Sequence, residues 1–160
     1  MRISPSDSIA KKPFIRTSSI RPPKGDDQGS WILIVDDNPL NIAVAELFVL
    51  KNHYQVKTAL SGQAAIDIML KNNHNISPIK LILMDLQMPV MDGYEATKIL
   101  KDLMKKKRVP ETPILALTAN DNEDDRKACK EAGMCHYLSK PIKESELAQI
   151  LAKDYRKMSH

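Results

Sequence analysis

Five times between Trp31 and Leu151 a short run suited to a sheet is followed by a stretch with helical periodicity, and this alternation constrains the fold more than any other feature. Residues 32–35, 79–84 and 114–117 are continuously apolar apart from Lys80, as strands buried on both faces require. Residues 54–59 alternate apolar and polar, and 135–139 form a short, more polar run; both read as half-exposed strands. Between them, Leu40, Ala43, Val44, Leu47 and Phe48 recur at the spacing of one helix face, with Asn38 as N-cap and Pro39 at the first helical position. Ser61 caps a second helix whose inner face is expected to hold Ala65, Ile68 and Met69. A third carries Ala96, Leu100, Leu103 and Met104. A strongly polar fourth covers 120–132, and Leu147, Ile150 and Leu151 mark a fifth.

Alternating strands and helices build a parallel sheet covered on both faces, with right-handed crossovers. Five such units predict a flavodoxin-like (βα)5 three-layer sandwich with strand order 2-1-3-4-5. The second and fifth strands are then the edges, and they are the two whose sequences are not continuously apolar.

The 160 residues suffice for one such domain, expected over 31–155. Residues 1–30, with Pro5, Pro13, Pro22, Pro23 and many serines, read as a disordered leader or linker, and 156–160 as a tail. Of the net charge of +4, residues 1–30 carry +3, six Lys/Arg against three Asp/Glu. The folded part is nearly neutral and gives no reason to expect nucleic acid as a partner. The run from Lys105 to Arg108 suits a helix C-terminus, where cations are favoured. No apolar stretch reaches the length of a membrane span, and the N-terminus lacks the apolar core of a secretory signal. Cys129 and Cys135 are too few and too oddly spaced for a zinc or disulfide framework and suit a reducing compartment, so the expected location is cytoplasmic, without membrane contact.

In a sheet of this order the site lies beyond the carboxyl ends of the strands. Asp36 and Asp37 follow the first strand, Asp85 the third, Thr118 the fourth, and Lys140 with Pro141 the fifth. Singly, each has an ordinary reading as a cap, a turn former or a surface cation. Together, three carboxylates repel and need compensation, which Lys140 supplies in part and a hard divalent cation in the remainder. Magnesium suits, because it keeps several waters and takes one or two carboxylates plus phosphate oxygens. A carboxylate beside such an ion is a potential nucleophile, and phosphoryl transfer needs mainly positioning and charge neutralisation. The Thr118 hydroxyl is then available to a phosphoryl oxygen.

The stretches ILIVDDN, LILMDLQMPVMDG, ILALTAN and YLSKPI resemble, in order and spacing, the four signature segments of the CheY-like receiver domains of two-component signalling. MDLQMPVMDG is similar to receivers of hybrid histidine kinases and phosphorelay response regulators. The resemblance implies Asp85 as phosphoacceptor and metal ligand. Asp36 and Asp37 complete the acidic pocket, Asp37 being the more direct ligand, and Gln87 adds its backbone carbonyl to the metal. It implies Lys140 on a phosphoryl oxygen, Thr118 and Tyr137 as the switch pair, and a cis bond before Pro141. It implies Mg2+ as cofactor, with Mn2+ as substitute, and a histidine kinase or histidine phosphotransfer protein as donor. The downstream effector is left unnamed. Such a domain is a signalling switch that catalyses its own phosphorylation and dephosphorylation rather than a conventional enzyme. Cys135 and His136 depart from the acidic or small residues common at their positions.

Two other classes compete with this reading. A nucleotide-binding α/β domain needs a G-x-G-x-x-G or G-x-x-x-x-G-K-[ST] loop, and neither is present. A pseudo-receiver, a binding module that keeps the fold without the chemistry, is the alternative that remains. The chain shows no kinase histidine segment or output domain, so it is expected to be a stand-alone receiver or a fragment of a hybrid kinase.

Overall fold

The computed structural model describes residues 29–153. The expectations for residues 1–28 and 154–160 lie outside the described residues. Ten elements alternate along the chain: β1 Trp31–Val35, α1 Pro39–Lys51, β2 Gln55–Ala59, α2 Gly62–Lys71, β3 Ile79–Asp85, α3 Gly93–Lys105, β4 Ile114–Thr118, α4 Glu123–Ala132, β5 His136–Ser139 and α5 Glu144–Leu151. The five strands form one sheet in the order β2-β1-β3-β4-β5, and every pairing is parallel. The order reverses between β1 and β3, which is where such sheets place their sites.

Period-two alternation splits the core into two layers. Leu33, Val35, Ile82, Met84, Ile114 and Ala116 face α2, α3 and α4. Ile32, Ile34, Leu81, Leu83, Leu115 and Leu117 face α1 and α5. Both faces of the central strands are therefore buried, as their continuous apolar sequences require. Side-chain caps fix four helix starts: Asn38 accepts from Leu40 N, Ser61 from Ala64 N, Asp92 from Glu95 N and Asn122 from Asp125 N. Each is worth about 1 kcal/mol.

Two local expectations need correction. The stripe Leu40–Val44–Leu47 does not face the core. Leu40 and Leu47 are 70% and 50% exposed, and α1 instead buries Ile42, Ala45 and Val49. The helix carries apolar residues almost all round, so spacing alone fits two different faces. The face with Ala45 at its centre is the one against the sheet. The polar helix starts at Glu123, with Asn122 as cap, because the three preceding residues form the loop that leaves β4.

Candidate functional site

Register brings the acids together. Val35 of β1 pairs with Met84 of β3, so the next residues, Asp36 and Asp85, stand side by side at the strand ends. Both are almost fully buried, while Asp37 is exposed. One carboxylate oxygen from each of Asp36, Asp37 and Asp85 lies within 4.8 Å of the others.

Lys140 arrives from two strands away. Thr118 pairs with Ser139, and Lys140 N donates to Thr118 O at 2.7 Å, which sets the lysine at the same rim. The Lys140–Pro141 bond is cis. The lysine stem crosses the end of β4, and Nζ donates to Asp85 Oδ1 at 2.9 Å and lies 3.0 Å from Asp36 Oδ2. One ammonium thus faces two buried carboxylates.

The remaining bonds are local. Asp36 Oδ1 accepts from Asn38 N at 2.9 Å and from Asn41 Nδ2 at 3.4 Å. Asp36 Oδ2, though close to Lys140, is out of line for a hydrogen bond and buried without another partner. Asp85 Oδ1 also accepts from Gln87 N at 3.2 Å, so both hydrogen bonds to Asp85 fall on one oxygen. Burial, and then the charge of Asp36, push the Asp85 carboxyl above its ordinary range against the pull of Lys140. Burial would lower the Lys140 ammonium, but its hydrogen bond to Asp85 and the adjacent negative charge of Asp36 outweigh that and hold it above its usual value. A hard cation fits this donor set: three carboxylates with a single ammonium between them, one buried carboxylate oxygen lacking a donor, and an exposed side on Asp37 for water.

Thr118 is not directed at Asp85. Its Oγ1 donates to Asn120 O at 2.7 Å and accepts from Asn120 N at 3.0 Å, a closed turn at the start of the β4–α4 loop. Tyr137 is half-buried, with the Arg126 guanidinium 4.9 Å from its ring centre. Gln87 is exposed beside Asp85.

Three contributors escaped the sequence reading. Asn41 reaches Asp36 from the first turn of α1. Gly93 lets α3 approach the end of β3, because a Cβ there would collide with the Asp85 carbonyl oxygen and lie 2.9 Å from Leu86 Cα. The Tyr94 hydroxyl donates to Asp125 Oδ1 at 3.3 Å, tying α3 to α4. The MDG stretch offers a glycine at 93, but the close approach that requires it shows only in three dimensions.

The family model for the response regulator receiver domain matches residues 32–152. Sensor histidine kinase GacS of Pseudomonas protegens is 34% identical over 122 residues, 76% of this chain and 13% of that protein. Hybrid signal transduction histidine kinase L of Dictyostelium discoideum is 33% identical over 129 residues, 81% of this chain and 7% of that protein. The chain thus spans only a small part of these relatives. Among solved structures, the receiver domain of sensor histidine kinase PA1611 from Pseudomonas aeruginosa, with a magnesium ion in its active-site cleft, is 39% identical, with a TM-score of 0.64 over 78% of this chain and 95% of that one. The receiver domain of Ssk1, solved with the histidine phosphotransfer protein Ypd1 of Saccharomyces cerevisiae, gives 31% identity and a TM-score of 0.68 over 81% and 91%.

Proposed function

Since the chain belongs to the response regulator receiver domain family, we propose that Asp85 accepts a phosphoryl group from a phosphohistidine and that the domain passes this event on as a change of shape. The observation that carries the reading is the bridge of Lys140 Nζ between Asp85 Oδ1 and Asp36 Oδ2, at 2.9 and 3.0 Å. In the proposed step an Asp85 oxygen forms the new O–P bond as the N–P bond to the histidine breaks, and the bonding pair leaves with the imidazole nitrogen. Lys140 holds the carboxylate in place and then moves its charge to a phosphoryl oxygen. A magnesium ion held by Asp36, Asp37, Asp85 and the Gln87 carbonyl would supply the remaining neutralisation, and Mn2+ is a reasonable substitute. Thr118 exchanges its bonds to Asn120 for one to the phosphoryl group, and Tyr137 turns inward behind it.

A partner delivering the group has to cover this rim. Leu40 at the start of α1, Leu60 in the β2–α2 loop and Val90 in the β3–α3 loop are all exposed there, at 70%, 55% and full exposure. Val90 also has φ +71°, a conformation that is an outlier for a β-branched residue. Val44 and Leu47 extend the apolar surface along α1. We assign this surface to a histidine kinase or histidine phosphotransfer protein, as the Ssk1 receiver domain was solved with Ypd1. The reading carries with it a cytoplasmic location and residues 1–30 as a linker to a receiver over 31–155. Among the described residues no helix is long and apolar enough to cross a membrane.

The test is intact mass after incubation with magnesium and acetyl phosphate. The wild type should gain one phosphoryl group and Asp85→Ala should not. No gain on the wild type, or an equal gain on the variant, would sink the proposal.

A further inference from the structure

A second concavity lies away from the acidic rim, at the opposite end of β5, between α3, α4 and the start of that strand. Its volume is about 730 Å3, within the roughly 300–1,000 Å3 typical of small-ligand pockets and far more than an inorganic phosphate fills. Lys101 comes from α3, Arg126 and Lys130 from α4, and His136 from β5; no acidic side chain lines it. The charges are not equally available. Arg126 is engaged, with Nε and Nη2 on Asp121 Oδ1 at 2.9 and 2.7 Å and its plane over the Tyr137 ring. Lys101 and Lys130 form no ion pair among the described residues.

Lys101 is also held in place. Gly133 ends α4 at φ +101°, and a Cβ on it would stand 3.1 Å from both Cγ and Cε of Lys101. The lysine stem therefore lies along the bare glycine, which brings the side chain to the groove. The walls beneath are apolar: Met134 and Cys129 are buried, and Cys135 and Tyr137 are half-buried. Two uncompensated ammonium groups above an apolar floor select a ligand that is a dianion at one end and an apolar, planar body at the other.

We propose that this groove binds a small phosphomonoester with an aromatic body, of the class of nucleoside monophosphates, with Lys101 and Lys130 on the phosphate and the aromatic part against Met134, Cys135 and Tyr137. The proposal does not depend on phosphoryl transfer at Asp85. Because α3, α4 and β5 all contribute to the lining, occupancy would tie these elements together.

The experiment is amide NMR titration of the full chain, in EDTA to exclude metal-assisted binding at the acidic rim, with AMP, adenosine and inorganic phosphate as separate probes. AMP should shift the amides of Lys101, Lys130, Gly133 and Cys135, and bind about tenfold more tightly than adenosine or phosphate alone. Lys130→Glu, at an exposed position, should weaken AMP about tenfold, and Lys101→Glu with Lys130→Glu should abolish the shifts, with the remaining spectrum unchanged. Equal binding of AMP and phosphate, an unaltered response in Lys130→Glu, shifts confined to the Asp85 rim, or no shifts at millimolar AMP would each overturn the proposal.

Discussion

Lys140 and Asp85 are 55 residues apart in sequence and 2.9 Å apart at the rim of the sheet, and Lys140 is the cation shared by two buried carboxylates. Removing it leaves Asp36 and Asp85 facing each other without compensation. Breaking a buried pair by deleting one partner costs about 3–5 kcal/mol, and the partial exposure of Lys140 brings the expectation nearer to about 2. Lys140→Met should therefore lower unfolding free energy in urea, measured in EDTA at neutral pH. Adding Asp85→Asn to it should restore most of the loss, because one of the two repelling charges then disappears. Failure of the second substitution to rescue would show that the lysine contributes packing rather than charge.

The raised Asp85 carboxyl sets a pH dependence whose sign is opposite to that of an ordinary paired acid. Its native value lies above the 3.8 of an unperturbed Asp, chiefly through burial. Between those two values the native state holds more protons than the unfolded state, so stability falls as pH rises through that window. Ionised Asp85 is a liability that neutral Asn does not share. Asp85→Asn should thus melt above the wild type at neutral pH without metal, and the difference should shrink as pH drops toward the unfolded value. Magnesium should raise the wild type and leave the variant nearly unmoved, since binding to the native state alone adds stability. Thermal melts of both proteins across pH, with EDTA and then with magnesium, check each part.

Gly93 and Gly62 are both buried helix-starting glycines, yet they should respond differently to alanine. A Cβ at Gly93 meets backbone, the Asp85 carbonyl and Leu86 Cα, which cannot move without shifting the site. At Gly62 it meets Met91 Sδ at 3.0 Å, the end of a flexible side chain, and Ala96 Cβ at 3.1 Å. Gly93→Ala should cost about 2–3 kcal/mol and slow phosphorylation, whereas Gly62→Ala should cost about 1 kcal/mol or less. Chemical denaturation of the two variants side by side decides it.

These residues also mark what sequence could and could not tell. The sheet order was legible because three strands buried on both faces must be continuously apolar, while the edge strands need not be. Asp36, Asp37, Asp85, Thr118 and Lys140 were legible as a group because parallel strands deliver all their carboxyl ends to one rim. The direction of α1 was not: with Leu40, Val44 and Leu47 on one side and Ile42, Ala45 and Val49 on the other, apolar periodicity fits both faces, and only packing against the sheet decides. The need for glycine at 93 and the reach of Asn41 to Asp36 depend on distances between segments, which no spacing rule encodes. The state of Thr118 was equally hidden, since its hydroxyl has a local partner in Asn120 that competes with the site.

That competition gives the next prediction. Thr118 Oγ1 both donates to and accepts from the Asn120 backbone, so the proposed movement toward a phosphoryl group would have to open the β4–α4 turn. Thr118→Val keeps the shape and removes the hydroxyl. It should cost about 1 kcal/mol in stability through the lost turn bonds. It should still gain phosphoryl mass from acetyl phosphate, because Asp85 and Lys140 are untouched. The phosphorylation-linked amide shifts in the loop and α4 should be reduced, and Thr118→Ser should restore them. Full shifts in the valine variant would remove the hydroxyl from the switch.

The exposed face of α1 separates docking from folding. Leu47 is half exposed and touches no charge network, so Leu47→Asp should change stability by no more than about 0.5 kcal/mol. Ala45, on the opposite side, is buried against the sheet, and Ala45→Asp places an unpaired charge in the core and should unfold the domain. If the apolar surface along α1 seats the phosphodonor, Leu47→Asp should take up phosphoryl from acetyl phosphate at the wild-type rate. From a phosphorylated histidine phosphotransfer protein it should do so at least about tenfold more slowly, the equivalent of roughly 1.4 kcal/mol of lost contact. Both donors would deliver the phosphoryl group to Asp85, and only the protein donor would have to cover α1. Equal slowing with both would place Leu47's effect at the site, and no slowing with the protein donor would move the docking face elsewhere on the rim.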